Sequence, residues 1–264
     1  MSKLPKISII TPSYNQAAFL ERTIQSVLDQ NYPNMEYIII DGGSTDGSVD
    51  ILKKYEKYLS YWISEKDAGQ SHAINKGLQV ATGDWLAWQN SDDTYQPGIF
   101  WELAEAAQRN PSSYLIIGNM NLINVDDVVV NNLIYVKPTY HSILAEGMVL
   151  TNQAAFWRRS LHAKIGFLNE DMHFGFDYEW FLRVLSSSRA AHVNRVWGNL
   201  RLHNDTKTAN SQISFEKEYK SIRNGRESSV FIKRCYQLRR LLLLLIQGDW
   251  SYVFRGIARR LSGK

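Results

Sequence analysis

Cysteine and long apolar runs are nearly absent from this chain of 264 residues. Cys235 is the only cysteine, which excludes an internal disulfide framework and a cysteine zinc cage within one chain, and which fits a reducing compartment. The longest uninterrupted apolar run, Leu241–Ile246, is far too short to cross a bilayer. Met1–Lys6 is short and polar, so we expect no signal peptide and a cytoplasmic protein.

A dinucleotide-binding loop is also missing. Gly42 and Gly43 follow an apolar run, but no G-x-G-x-x-G pattern follows a predicted strand, and this disfavours a dehydrogenase. Apolar residues make up 44% of the chain, which is enough for one large α/β domain or for a domain with a small appendage. Disorder is therefore not expected.

Positive charge is concentrated at the C-terminal end. Residues 217–264 contain 12 Lys or Arg and 3 Asp or Glu, whereas residues 1–216 contain 18 and 23. The net charge of +4 therefore comes from the tail and not from the body. We expect a main domain at residues 1–214 and a basic helical extension at residues 215–264.

Strands and helices alternate in the first half of the chain. Short apolar runs predict strands at 7–11, 37–40, 59–64, 85–88 and 114–117, and helical spacing predicts helices at 19–28, 49–55, 73–81 and 100–107. This alternation predicts a parallel sheet with helices on both faces, in which ligands bind beyond the carboxyl ends of the strands. The second half predicts a hairpin or meander at 120–136 with turn residues at Asp126–Asp127, an extended segment at 154–158, helices at 160–165 and 177–185, and a helical tail.

Two of the predicted strands end in acidic turns. Asp41 follows three isoleucines, where a carboxylate could bind a base or ribose or could simply form a turn. Asn90-Ser91-Asp92-Asp93 follows the fourth strand, where it could hold Mg²⁺ or Mn²⁺ against a diphosphate or could begin a helix. Each segment, taken alone, leaves both interpretations open.

Two further segments carry candidate catalytic groups. Asp177 and Glu179 begin a predicted helix, where an acid either stabilises the helix dipole or acts as a general base. Residues two apart do not share a helix face, so only one of them is expected to face a site. His203 lies near Lys207 and suits a metal and diphosphate pocket, although a lone histidine is more often without function.

Four segments in order resemble the signatures of inverting glycosyltransferase family 2. They are residues 7–15 (ISIITPSYN), 38–47 (IIIDGGSTDG), 75–84 (NKGLQVATGD) and 86–93 (LAWQNSDD), and the resemblance runs from about residue 6 to about residue 208. It implies a GT-A fold, with a mixed, mostly parallel sheet and helices on both faces. It also implies a nucleotide-diphosphate sugar donor and Mn²⁺ or Mg²⁺ as cofactor.

The resemblance assigns roles by position. Asp41 resembles a base-binding aspartate, Asp92 the metal-binding carboxylate of a DxD motif, and Asp177 the catalytic base of a Glu-Asp motif. His203 with Lys207 and Thr208 looks like a segment that closes over the diphosphate, and His203 would then also bind metal. The other nucleotide-binding candidates are Thr11, Pro12, Tyr14, Glu65, Asp67, Lys76, Asn90 and Lys207, and the secondary candidates are Asp93 and Glu179.

Two positions depart from the family pattern. Asn90 replaces the first aspartate of DxD, which implies weaker dependence on metal. Phe176 replaces the glutamate before Asp177. These departures favour, as an alternative from a different class, a catalytically silent sugar-nucleotide-binding or scaffold protein. A sugar nucleotidyltransferase is less favoured, because residues 11–16 supply no glycine- and arginine-rich phosphate loop.

The expected function is transfer of a sugar from a UDP-, GDP- or dTDP-sugar to a glycan or lipid-linked glycan with inversion, in polysaccharide or O-antigen-type assembly. Residues 233–246 and 250–260 combine arginines with leucine and aromatic residues, which favours contact with the anionic inner face of a membrane. The alternative is a tail that packs Leu241–Ile246 on the body. No nucleic-acid partner is expected, since no recognition fold is apparent.

Overall fold

The computed structural model describes residues 4–203 and 212–261, whose strands form a nine-stranded sheet. The strands are β1 Ile7–Ser13, β2 Met35–Asp41, β3 Tyr61–Ser64, β4 Trp85–Trp88, β5 Thr94–Tyr95, β6 Ser113–Ile123, β7 Val129–Leu133, β8 Ala155–Arg158 and β9 Arg189–Arg201. The α-helices are α1 Ala17–Leu28, α2 Ser48–Tyr55, α3 Gln70–Val80, α4 Ile99–Arg109, α5 Tyr140–Glu146, α6 His162–Ile165, α7 Phe176–Ser187, α8 Gln212–Arg223, α9 Val230–Ile246 and α10 Trp250–Leu261. A 3₁₀ turn at Asn152–Ala154 precedes β8.

The sheet has a parallel half and a mixed half. Its order is β3-β2-β1-β4-β8-β6-β9-β5, with β7 paired to β6. The first four strands are parallel, β8 is antiparallel to both of its neighbours, and β6 is parallel to β9. The register places Ser13 opposite Asp41 and Asp41 opposite Ser64, so the polar ends of three strands lie side by side.

The core explains why the apolar runs form strands. The isoleucines of β1 and β2 are at most 1% exposed, as expected for parallel strands covered on both faces. Helix α3 packs closely on β1 at Gly77, where an added Cβ would overlap the side chain of Ile10. In the mixed half, Trp88 packs against Trp157 and Phe181. One continuous core therefore joins the two halves.

The sequence patterns predict the first half better than the second. The predicted mixed α/β sheet is confirmed, and so is the hairpin, which β6 and β7 form around Asp127 in the left-handed conformation. The third strand begins at Tyr61 and not at Leu59, because a 3₁₀ turn occupies residues 56–58. Strand β9 is missing from the prediction because its buried and exposed residues do not alternate regularly.

The C-terminal helices lie against the rest of the chain. Ile222 of α8 belongs to the main core, whereas Leu244 of α9 and Val253 of α10 form a second cluster with Val136. Arg240 of α9 forms an ion pair of 2.9 Å with Glu146 of α5. The tail therefore packs on the body, while other apolar residues of α9 and α10 stay exposed. Within the described part of the chain, no helix combines the length and the apolarity needed to span a bilayer.

Candidate active site

A cavity of about 800 Å³ opens at the carboxyl ends of β1 and β4. This volume is typical of a site for a small molecule or cofactor. Its walls come from the end of β1, the segment before α3, the turn after β4, the 3₁₀ turn before β8, the start of α7 and helix α8. Of the residues predicted from the sequence, it is lined by Pro12, Tyr14, Asp67, Asn90, Asp92, Asp93 and Asp177.

The turn after β4 is held by buried hydrogen bonds. The Thr23 hydroxyl on α1 donates to the carbonyl oxygens of Ser91 and Asp93, over 2.9 and 2.7 Å. The Asp93 carboxylate accepts hydrogen bonds from Gln153 Nε2, Arg201 N and Asn90 Nδ2, over 2.7, 2.9 and 2.9 Å. Burial, and to a smaller extent the neighbouring Asp92 charge, raises the pKa of Asp93 to about 8. Asp93 is therefore a buried anchor of the turn.

Asp92 and His203 form the pair that could bind a metal. Asp92 Oδ2 lies 3.0 Å from His203 Nε2, and their side chains are 20% and 7% exposed. No cluster of three potential ligands occurs among residues 4–203 and 212–261. Mg²⁺ and Mn²⁺ sites for phosphate chemistry often use one or two protein groups and take their other ligands from phosphate and water. A carboxylate with an imidazole fits that requirement.

Arg201 positions this pair, and the sequence analysis missed it. Its side chain is fully buried, and Nε donates to the Asp92 carbonyl oxygen over 2.8 Å. Its guanidinium also pairs with Asp127 of the β6–β7 turn, at 2.5 Å. Burial opposes ionisation of Asp127, but Arg22 and Arg201 together lower its pKa. The only sequence signal is an arginine two residues before His203.

Asp177 lies in the first turn of α7, half-buried at the cavity wall. Its Oδ1 accepts a hydrogen bond from Tyr178 N over 2.7 Å. Phe176, which replaces the expected glutamate, is buried against Trp88 with ring centroids 6.3 Å apart. Asp177 therefore stands at the border between an apolar wall and the cavity.

Helix α8 fixes the loop before Asp177. The Glu218 carboxylate accepts hydrogen bonds from the backbone N–H groups of His173, Phe174 and Gly175, over 3.2, 3.0 and 2.7 Å. The ring of Tyr219 packs on Tyr178 at 4.5 Å between centroids and lines the cavity. Neither residue was predicted, because no local pattern links α8 to the start of α7.

Asp41 faces its own turn. Its carboxylate accepts hydrogen bonds from Gly43 N, Ser44 N, Ser44 Oγ and Ser64 Oγ, over 3.1, 2.9, 2.5 and 2.7 Å. It is fully buried and does not line the cavity. The structure therefore gives Asp41 a turn-forming set of partners and not an open carboxylate.

Tyr14 and Asp67 meet above the neighbouring Gly42. A Cβ on Gly42 would lie 2.7 Å from Asp67 Oδ2 and 3.2 Å from Tyr14 Cδ2, so a larger residue would displace the Asp67 side chain. Tyr14 is 62% exposed, which leaves its ring accessible at the mouth of the cavity. This corner combines an aromatic ring with a carboxylate.

Other predicted residues lie outside the cavity lining. The Glu179 carboxylate pairs with Arg183 at 2.5 Å. Lys76 and Glu65 pair with each other at 2.5 Å, and Thr11 Oγ1 lies 3.1 Å from the Tyr37 hydroxyl. Lys207 and Thr208 lie outside the described residues.

Three cavity-lining side chains carry a buried polar atom without a hydrogen-bond partner among the described residues. They are Ser13 Oγ, Asn152 Nδ2 and Gln153 Oε1. Buried polar groups are nearly always paired in folded proteins, so these side chains are candidates to turn toward a ligand, since the three atoms are covered in the present conformation.

Comparison with known proteins agrees with this geometry. The model of glycosyl transferase family 2 matches residues 8–166. An uncharacterized glycosyltransferase from Mycobacterium tuberculosis is 36% identical over 188 residues, which cover 70% of each chain. The chain belongs to glycosyl transferase family 2, and it is therefore a glycosyltransferase.

Solved structures show the same fold. S. aureus TarS 1–349 in complex with UDP-GlcNAc superposes with a TM-score of 0.68 at 17% identity, over 82% of this chain and 65% of that one. A mannosyltransferase from Pyrobaculum calidifontis in complex with GDP-Man and Mn²⁺ gives 0.63 at 18% identity, over 100% of this chain and 77% of that one. The predicted GT-A fold is thereby confirmed, and the chain corresponds to about two thirds of the TarS fragment.

Proposed function

We propose that this glycosyltransferase moves a sugar from a UDP-, GDP- or dTDP-sugar to a hydroxyl of a glycan or lipid-linked glycan in polysaccharide or O-antigen-type assembly, with inversion. The observation that carries the proposal is that Asp177 and Asp92 line one cavity, with His203 bonded to Asp92. A proton acceptor and a site for diphosphate charge therefore share the same space. The complexes of the two similar structures with UDP-GlcNAc and GDP-Man support this class of donor.

The nucleotide would bind at the corner formed by Tyr14 and Asp67. The exposed Tyr14 ring offers a surface for a base, and Asp67 offers acceptors for base or ribose N–H and O–H groups. Pro12 and Asn90 line the same wall. Of the remaining candidates, Asp41, Thr11, Glu65 and Lys76 would act by supporting this wall, and Lys207 would contact the diphosphate.

Asp92 and His203 would hold Mn²⁺ or Mg²⁺. When bound, the cation neutralises the charge that develops on the leaving nucleoside diphosphate. The two protein ligands leave room for phosphate oxygens. The Mn²⁺ in the complex of the similar mannosyltransferase supports this proposal.

Asp177 would act as the general base. Its carboxylate takes the proton of the acceptor hydroxyl as that oxygen bonds to the anomeric carbon, and the C–O bond to the diphosphate breaks with its electrons leaving on the diphosphate. One displacement inverts the anomeric configuration. Glu179 is engaged with Arg183 and does not line the cavity, so it is not expected to take this role.

Replacement of Asp177 tests the proposal. In purified protein with Mn²⁺, Asp177→Asn should lower transfer and donor hydrolysis by about 10²–10⁴-fold, the usual contribution of a general base. Calorimetry with UDP, GDP and dTDP, with and without Mn²⁺, should show that Asp177→Asn binds the nucleotide with unchanged affinity. The same titrations should identify the nucleobase that the protein prefers. Glu216→Gln is the matched control, because Glu216 is also an acid at the cavity. Full transfer activity in Asp177→Asn would refute the base assignment, and nucleotide binding without turnover in the unaltered protein would favour the silent sugar-nucleotide-binding protein.

The tail would hold the enzyme peripherally at the inner face of a membrane. Phe231, Ile246, Trp250 and Phe254 are 75%, 81%, 55% and 61% exposed on α9 and α10, close to the arginines of these helices. Exposed aromatic and aliphatic residues beside basic ones are typical of interfacial helices. The division into a catalytic region at 1–214 and an extension at 215–264 belongs to this proposal. Helix α8 spans this boundary, and its residues Phe215, Glu216 and Tyr219 line the cavity.

A further inference from the structure

A second cavity lies between the last two helices. It has a volume of about 410 Å³ and is lined by Asn131 of β7, by residues 234–244 of α9 and by residues 252–257 of α10. We call it the tail cleft. It shares no lining residue with the candidate active site. Its chemistry is therefore independent of the sugar-transfer machinery.

The tail cleft is positively charged. Arg234, Arg240 and Arg255 line it, and no described residue of its lining is acidic. Arg240 forms an ion pair with Glu146, whose side chain is only 5% exposed. Arg234 and Arg255 form no ion pair with any described residue, so their charge is not offset in this way. Arginine is well suited to bind phosphate, because its planar group presents several donors.

The rest of the lining is mostly apolar. Leu238, Leu241, Leu244, Val253 and Ile257 form its walls together with the Tyr252 ring. Leu238 and Ile257 are 56% and 44% exposed, so the apolar wall reaches the rim of the cleft. An apolar wall beside arginines matches an anionic amphiphile better than a free anion, which would gain nothing from the leucines.

Gly256 lines the tail cleft. It lies inside α10, where glycine is a poor helix former. A Cβ at this position would meet no described atom within 4 Å, so a larger residue is sterically allowed. A side chain here would occupy the cleft without changing its charge.

We propose that the tail cleft binds one anionic phospholipid of the membrane, with its phosphate at the arginines and the upper part of an acyl chain along Leu238, Leu241 and Tyr252. The exposed Trp250 and Phe254 on the same helix would lie in the headgroup region. The inference rests on the membrane attachment proposed above and not on sugar transfer. The membrane attachment would then depend on a defined lipid-binding site and not only on general attraction between the basic tail and a negative surface.

Vesicle co-sedimentation of the full chain tests the cleft. We expect binding to phosphatidylcholine vesicles that contain phosphatidylglycerol and little binding to phosphatidylcholine alone. Gly256→Leu should weaken this binding by about tenfold, because leucine displaces the acyl segment. Its thermal midpoint should equal or exceed that of the unaltered protein, because leucine favours the helix. Wild-type vesicle binding by folded Gly256→Leu would overturn the proposal.

Arginine replacements supply the charge test. Arg234→Gln with Arg255→Gln should weaken binding by about 30-fold, the usual effect of two basic residues at an anionic surface. Arg109→Gln with Arg195→Gln removes the same charge from exposed positions elsewhere and should change binding less than about threefold. An equal loss in both double variants would show that only net charge matters and would contradict a defined site.

Soluble probes identify the ligand. By calorimetry, short-chain phosphatidylglycerol below its micelle concentration should bind the unaltered protein and not Gly256→Leu. Equal affinity for inorganic phosphate, or none for the soluble lipid, would contradict a phospholipid site. Transfer to a soluble acceptor should be the same in Gly256→Leu. If the unaltered protein binds lipid but transfers no sugar, only the proposed transferase function is refuted. If the unaltered protein and Gly256→Leu both transfer sugar and bind vesicles equally well, only the lipid site is refuted.

Discussion

The Asp41→Ala replacement distinguishes a turn-forming aspartate from a nucleotide ligand. In the structure the carboxylate accepts four hydrogen bonds, two of them from backbone N–H groups of the turn. A hydrogen bond to a charged group contributes about 1.5–3 kcal/mol, but the two serine hydroxyls can turn to water in the variant. Loss of the two backbone bonds therefore predicts that the free energy of unfolding falls by about 3–6 kcal/mol.

The isosteric Asp41→Asn replacement is the matched comparison. The amide oxygen can still accept from Gly43 N and Ser44 N, and the Ser44 hydroxyl can accept from the amide nitrogen. We expect a loss of only about 1 kcal/mol in the free energy of unfolding, measured by urea titration. Donor affinity, measured by calorimetry, should change less than about threefold, since Asp41 does not line the cavity.

A direct contact with the nucleotide makes the opposite prediction. Loss of a charged hydrogen bond to a base would weaken donor binding by about 10- to 150-fold in Asp41→Asn. It would leave the unfolding curve of the free protein nearly unchanged. That combination of results would refute the turn-forming role and would support the role that the family resemblance implies.

Three further changes test other parts of the structure. Gly198→Ala would place a Cβ against the Gln153 carbonyl oxygen, so we expect a loss of about 1–3 kcal/mol in urea unfolding together with weaker Mn²⁺-dependent activity, and a normal variant would contradict this close packing. Glu218→Gln should lower kcat about tenfold without changing donor affinity, because the loop before Asp177 loses a charged acceptor, and unchanged kcat would contradict that support. Burial lowers the pKa of His162 from 6.5 to about 4, so the unfolded chain takes up a proton at a higher pH than the folded protein. The contribution of neutral His162 to the free energy of unfolding is therefore present above pH 6.5 and is lost as the pH falls toward 4. Between pH 7.5 and 5.5 this costs about 1.4 kcal/mol, and a His162→Phe variant with the same pH slope would contradict the assignment.

The main acidic groups of the site were predictable because parallel strands end at one edge of the sheet. Continuous apolar runs mark β1, β2 and β4, and the polar residues that follow them necessarily come together. Asp92 and Asp177 were placed in one site only through the family resemblance, since α7 follows no parallel strand. The cavity contains both residues.

The supporting residues were not predictable from local patterns. Arg201 N reaches Asp93 across 108 positions of sequence, and Gln153 reaches it across 60. Arg201 ends β9, whose exposed and buried residues do not alternate regularly, and Gln153 lies in the 3₁₀ turn before β8. The place of Arg201 depends on the pairing of β9 with β5, which is a property of the folded chain.

The same contacts explain why asparagine occupies position 90. Its amide nitrogen donates to Asp93 Oδ2 over 2.9 Å, and its amide oxygen accepts from Gln70 Nε2 over 2.9 Å. An aspartate in this orientation would replace the N–H donor by a second carboxyl oxygen facing the buried Asp93, so one of the two carboxyl groups would have to stay protonated. Asn90 therefore does not simply remove a charge from a DxD motif. It permits Asp93 to be buried beneath the turn, and this anchors Asp92 where it meets His203.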